Sequence, residues 1–156
     1  MGEGEFALVR QHLEISLHSA SWWISDHDIY ATLVDTAVLQ HDEAGIRQYA
    51  PEAEALAIRY GHPLYQAIAH RAWGVAHRLA GEIVEAETRL KQALELFSSL
   101  NTRWQLGRTL FELGQLTAQT DSAHARDYFT RAQVAFEAMR AAPDVARTRA
   151  TLERLK

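Results

Sequence analysis

The chain repeats itself about every 40 residues, and this period restricts its fold more than any other feature. Gly74 and Gly114 lie 40 residues apart, each preceded by a large apolar residue, Trp73 and Leu113. Downstream, Gln92 to Leu100 matches Arg131 to Met139 at an interval of 39, so one residue is missing from the intervening loop. An earlier copy aligns Leu33-Val34 with Trp73-Gly74, Ala53 with Ala93, and Tyr60-Gly61 with Leu100-Asn101. Three copies therefore run from about Asp26 to Arg140. A chain built this way buries a strip between successive units rather than one central core.

Each copy reads as two helices. Ile83, Ala86, Leu90, Ala93, Leu94, Phe97 and Leu100 recur at steps of three and four, one apolar stripe on a helix. The 26 Ala and 18 Leu against 14 Val plus Ile favour helix, because unbranched side chains lose little entropy there. Gly61-His62-Pro63 supplies a left-handed cap followed by a helix start. Asn101-Thr102 offers Asn as the left-handed residue and Thr as N-cap. Gly81, Gln40-His41-Asp42 and Thr120-Asp121-Ser122 divide each copy internally.

The expected map is a single all-α domain over residues 1–156. Residues 1–25 form a leading helix and cap, 26–61, 62–101 and 102–141 three repeats, and 142–156 a closing helix. That makes eight helices: Phe6 to Leu17 is periodic, and Pro143 opens the last one, from about Asp144 to Leu155. Pro51 falls inside a helix and predicts a kink or break near residues 47–50. Trp22-Trp23 cannot both face one stripe, so one of the pair is available to a partner or a second copy unless the pair packs as an end cap.

Charge is graded along the chain. Residues 1–60 carry 3 basic and 10 acidic side chains, residues 61–100 carry 4 of each, and residues 101–156 carry 9 basic against 6 acidic. No concentrated basic face emerges, which argues against a nucleic-acid surface. The absence of cysteine removes disulfides and thiolate chemistry and suits a reducing cytoplasm. The longest uncharged run, Ile15 to Ser25, is too short to span a membrane, and no basic-then-apolar leader opens the chain.

The spacing of Gly74, Ala86 and Ala93 resembles the tetratricopeptide repeat (TPR) family, in which small residues let the first and second helix of a unit approach closely. Leu113-Gly114, Ala125 and Ala132 repeat the pattern with the first gap one residue shorter. The first copy departs from it, with Val34 and Ile46 at the small-residue positions. The period exceeds the family's usual one, and such long units resemble TPR-like arrays attached to large bacterial regulatory proteins. The resemblance implies a right-handed α-α superhelix whose concave groove, lined by the first helix of each unit, holds a protein or peptide.

Projected onto this chain, that groove is lined by Asp28 and Asp35 in the first unit, Arg71 and Arg78 in the second, and Arg108, Phe111 and Gln115 in the third. The arginines can take a carboxylate or phosphate through bidentate contacts; the alternative is that they solvate an exposed face. Ala31 and Asp35 stand where chaperone-binding members of the family carry a Lys and Asn clamp, which argues against that partner class. His70 and His77, seven apart, lack the spacing or further ligands of a metal site and read as partly buried packing. Trp73 reads as core and Trp104 as a staple at the start of its helix. No phosphate loop, zinc motif, nucleophile elbow or dinucleotide fingerprint is present. Glu52 and Glu54 sit at solvent-type positions.

The expectation is therefore a non-enzymatic protein-interaction module that needs no metal or cofactor. Two alternatives remain open: self-association through the solenoid ends, and sensing of a small effector.

Overall fold

Left-handed turns set the element boundaries. In the computed structural model, which describes residues 3–18 and 26–155, the described residues form eight α-helices and no strand. They are α1 (Glu3–His18), α2 (Asp26–Gln40), α3 (Glu43–Arg59), α4 (Pro63–Ala80), α5 (Ile83–Ser99), α6 (Arg103–Thr117), α7 (Ser122–Ala138) and α8 (Ala142–Arg154). Trp22-Trp23 lies outside the described residues.

Five connections use the same device. His41, Gly61, Gly81, Asn101 and Arg140 adopt φ of 53°, 64°, 79°, 54° and 54°. In each case the following N–H reaches back to the carbonyl five residues earlier, as in His62 to Ala57 at 2.9 Å and Glu82 to His77 at 2.8 Å. This Schellman-type cap satisfies the carbonyls that a helix end leaves orphaned. The first four turns recur every 20 residues, so each helix with its connection occupies half of the 40-residue period.

The α6–α7 connection is the exception. Thr120 and Asp121 both donate to the Thr117 carbonyl, and the Asp121 carboxylate accepts from the N–H groups of Ala123 and His124 at 3.0 Å each. This is where the third copy loses its residue. Thr102 also departs from expectation. It holds the N-cap position, but its hydroxyl donates to the Phe97 carbonyl instead of capping the new helix.

No break occurs at Pro51, and α3 runs unbroken from Glu43 to Arg59. Pro51 faces solvent, so the Arg47 carbonyl it cannot serve can turn to water. The opposite side of the helix stays anchored by buried Ile46, Tyr49, Ala50, Ala53 and Ala57. Tertiary packing has overridden the local cost.

Every helix packs on its neighbour in the chain, and α2 also meets α4, as α4 meets α6. The small residues mark the closest approaches. A Cβ on Gly74 would lie 2.5 Å from Leu90 Cγ and 3.1 Å from the Leu90 backbone nitrogen. A Cβ on Gly114 would lie 2.8 Å from the Phe129 ring. Leu90 and Phe129 are repeat equivalents, so α4 crosses α5 as α6 crosses α7. Ala86, Ala93, Ala125 and Ala132 are fully buried at these crossings. In the α5 stripe Ala86, Leu90, Ala93 and Phe97 are buried, while Ile83 and Leu100 at the helix ends are exposed.

Candidate functional site

Asp35 on α2 joins three helices that alternate along the chain. Its Oδ1 accepts from Arg71 Nη2 on α4 at 2.7 Å, and its Oδ2 accepts from Arg108 Nη1 on α6 at 2.9 Å. Arg71 Nη1 also donates to the Gln105 side-chain carbonyl at 2.5 Å, which Arg108 Nη1 reaches at 3.3 Å. A second bridge, Arg78 to Glu112 at 2.9 Å, ties α4 to α6 again. Aromatic rings complete the setting: the Arg71 guanidinium lies 5.1 Å from the Phe97 centroid, Arg108 4.8 Å from Trp104, and Arg147 on α8 4.3 Å from Phe111.

Burial acts against both charge types here. It pushes the Asp35 carboxyl up, but Arg71 and Arg108 together outweigh that and hold it below the usual carboxylate range. Burial also pulls the Arg71 guanidinium down to about 10, although Asp35 opposes the shift.

These positions correct the reading of Arg71 and Arg108 as surface residues. Arg71 is 0% exposed and Arg108 5%, so they neither solvate a face nor stand free in an open groove. Arg78 is engaged with Glu112, and Phe111 is buried edge-on against Phe129 at 5.1 Å. Gln115 remains partly accessible in a cleft of about 410 Å³ that it shares with Arg78, Thr151 and Arg154. Asp28 is exposed, apart from the Asp35 network, and accepts from the Tyr65 hydroxyl at 2.5 Å. Accessible residues beside the network and the neighbouring cleft include Leu39, His41 in the turn after α2, Gln115, Arg147 and Arg154.

Gln105 and Glu112, which bond to these arginines, and Arg147, which stacks beside them on Phe111, escaped the sequence reading. Arg147 stands 39 residues after Arg108, the interval between the later copies, so extending the repeat into the closing helix would have found it.

On the other side of the chain, Glu54 is only 22% exposed, contrary to its solvent-type position. It accepts from Trp73 Nε1 at 3.0 Å and Arg89 Nη1 at 2.6 Å. Arg89 also lies 2.8 Å from His70 Nδ1, and burial followed by this cation lowers the His70 pKa. His70 Nδ1 is therefore an acceptor on a neutral ring. His77 stacks on Trp73 with centroids 5.9 Å apart and contacts Glu82. Trp104 is 38% exposed and donates to Asp144 at 3.1 Å, tying α6 to α8. Among the described residues no three His, Cys, Asp or Glu side chains are grouped to hold a metal ion, and no helix is long and apolar enough to cross a membrane.

Fold and site together define an all-helical chain of repeated hairpins with a buried ion network under one face. No family model matches the chain, and neither the curated proteins nor the solved structures contain a match.

Proposed function

We propose that this chain is a non-catalytic interaction module of the TPR-like kind, which takes a peptide or helix of a partner protein along the face formed by α2, α4, α6 and α8. The observation that carries this reading is the Asp35–Arg71–Gln105–Arg108 network. It ties alternate helices together and so prepares the face before any partner arrives, sparing the ordering cost of binding. Contacts of α2 with α4 and of α4 with α6 support the reading of a solenoid whose first helices line one side. The partner meets the rim, not the buried arginines. Leu39, 48% exposed, supplies an apolar contact at one end, and Gln115 and Arg154 supply polar contacts at the other.

The test is quantitative binding of partner segments, selected from a peptide display library, to the wild type, Leu39→Glu, and a control on α5, Val84→Glu. Val84 is 73% exposed. At least a tenfold loss for Leu39→Glu with no loss for Val84→Glu is expected. Equal affinity for all three proteins would overturn the assignment of the face.

A second reading is favoured by α1, where Leu8 and Ile15, each 57% exposed, stand seven residues apart on one side of the helix. This stripe suits self-association through the end of the stack. Sedimentation equilibrium should then show Leu8→Glu to be monomeric where the wild type associates. A wild type that is monomeric at millimolar concentration rejects the reading.

A further inference from the structure

Beneath the same face the molecule holds more buried donors than its own acceptors use. Arg71 Nε, Arg78 Nε and Arg108 Nη2 are buried without hydrogen-bond partners. Four guanidinium groups, those of Arg71, Arg78, Arg108 and Arg147, share three carboxylates, Asp35, Glu112 and Asp144. A cavity of about 40 Å³ is lined by three of these arginines, Arg71, Arg108 and Arg147, together with Val38, Leu39, His41 and Glu112. Glu112, the acid on its wall, is already paired with Arg78. A water needs roughly 10–15 Å³ of such space, so the cavity has room for one functional group of a few atoms and not for a metabolite. Cationic surplus and enclosure both select for an anion, and the planar guanidinium matches oxygen acceptors best.

We propose that this cavity binds a single small oxyanion group, a carboxylate or a phosphate, held by the Arg147 guanidinium against a wall that Arg71 and Arg108 help to form. Its walls come from α2 and the turn after it, α4, α6 and α8, so occupation fastens α8 onto the other three helices. The site does not depend on the peptide-binding reading, because a free anion suffices to fill it.

The full chain, labelled with nitrogen-15 arginine, is titrated separately with inorganic phosphate and with acetate at constant ionic strength. The guanidinium Nε–H resonances and the melting temperature are followed together. A saturable shift of the Arg71 resonance is expected with at least one anion, and the tighter of the two names the class. At a hundred times the dissociation constant the melting temperature should rise by about 5–10 °C. Arg147→Gln, at a side chain 43% exposed and so compatible with folding, should weaken binding at least tenfold, and Arg147→Lys should recover part of it. Absence of a saturable Arg71 shift with either anion means that the cavity holds water only and overturns the proposal. An affinity left unchanged by Arg147→Gln overturns it equally.

Discussion

Asp35 is the residue on which most of the buried charge depends. Its removal leaves two guanidinium groups facing each other in the interior, and breaking a buried pair in this way costs about 3–5 kcal/mol. Asp35 keeps 22% of its side chain exposed, and solvent screening brings Asp35→Ala to about 2–4 kcal/mol, read from urea unfolding at pH 7. A loss below about 1 kcal/mol would mean that the network contributes little. The effect should depend on pH. The Asp35 carboxyl is held below its ordinary value of 3.8 by Arg71 and Arg108, so its stabilisation is fully present above that value. It fades as the pH falls through the lower folded-state value. The stability gap between wild type and Asp35→Ala should therefore be constant from pH 7 to pH 5 and narrow below pH 3.8. A gap that widens on acidification would contradict the assigned pairing.

The sequence brought Asp35, Arg71 and Arg108 onto one list of groove positions but did not show that they bond to one another. The repeat aligns positions at intervals of 40, whereas side chains of successive first helices meet at shorter separations. Asp35 and Arg71 are 36 apart, Arg71 and Gln105 34, Arg78 and Glu112 34, and Asp28 and Tyr65 37. The difference is about one to two helical turns, the stagger between neighbouring first helices. Alignment alone contains no such offset, which is why charges that cancel inside were read as charges displayed outside.

At the scale of elements, turn chemistry was the most legible part. Gly61 and Asn101 announced left-handed caps, and both adopt them, as does Gly81, which the sequence marked only as a divider between helices. His41 and Arg140 occupy the same conformation without any such mark, at a backbone cost of roughly 1–2 kcal/mol each. Arg140→Gly should therefore stabilise the protein by about 0.5 kcal/mol, once the greater freedom of glycine in the unfolded chain is subtracted. Calorimetry showing a lower melting temperature would assign Arg140 a contact that outweighs its strain. Pro51 marks the limit of a local rule in the other direction: it does not interrupt α3, because it is exposed while the opposite side of the helix is buried. The close crossings give a sharper test. Gly74→Leu forces a side chain into Leu90 and its backbone, an overpacking cost of about 1–3 kcal/mol or more. An unchanged melting temperature would mean that α4 and α5 are packed in a different register.

For the molecule as a whole, no single core is closed off. Small residues set the distance between α4 and α5 and between α6 and α7, and the ion network ties α2, α4 and α6 together. Helices tied together in this way need little rearrangement to meet a partner, which is the physical basis of the interaction role proposed above. Buried charge couples α2 and α6, which are not neighbours in the chain. A double-mutant cycle on Asp35→Ala and Arg108→Ala measures that coupling, since the two residues are 73 positions apart and meet only through folding. The double variant should be more stable than the sum of the single losses allows, by about 1.5 kcal/mol or more. Additive losses, with a coupling near zero, would show that the network does not hold the face together.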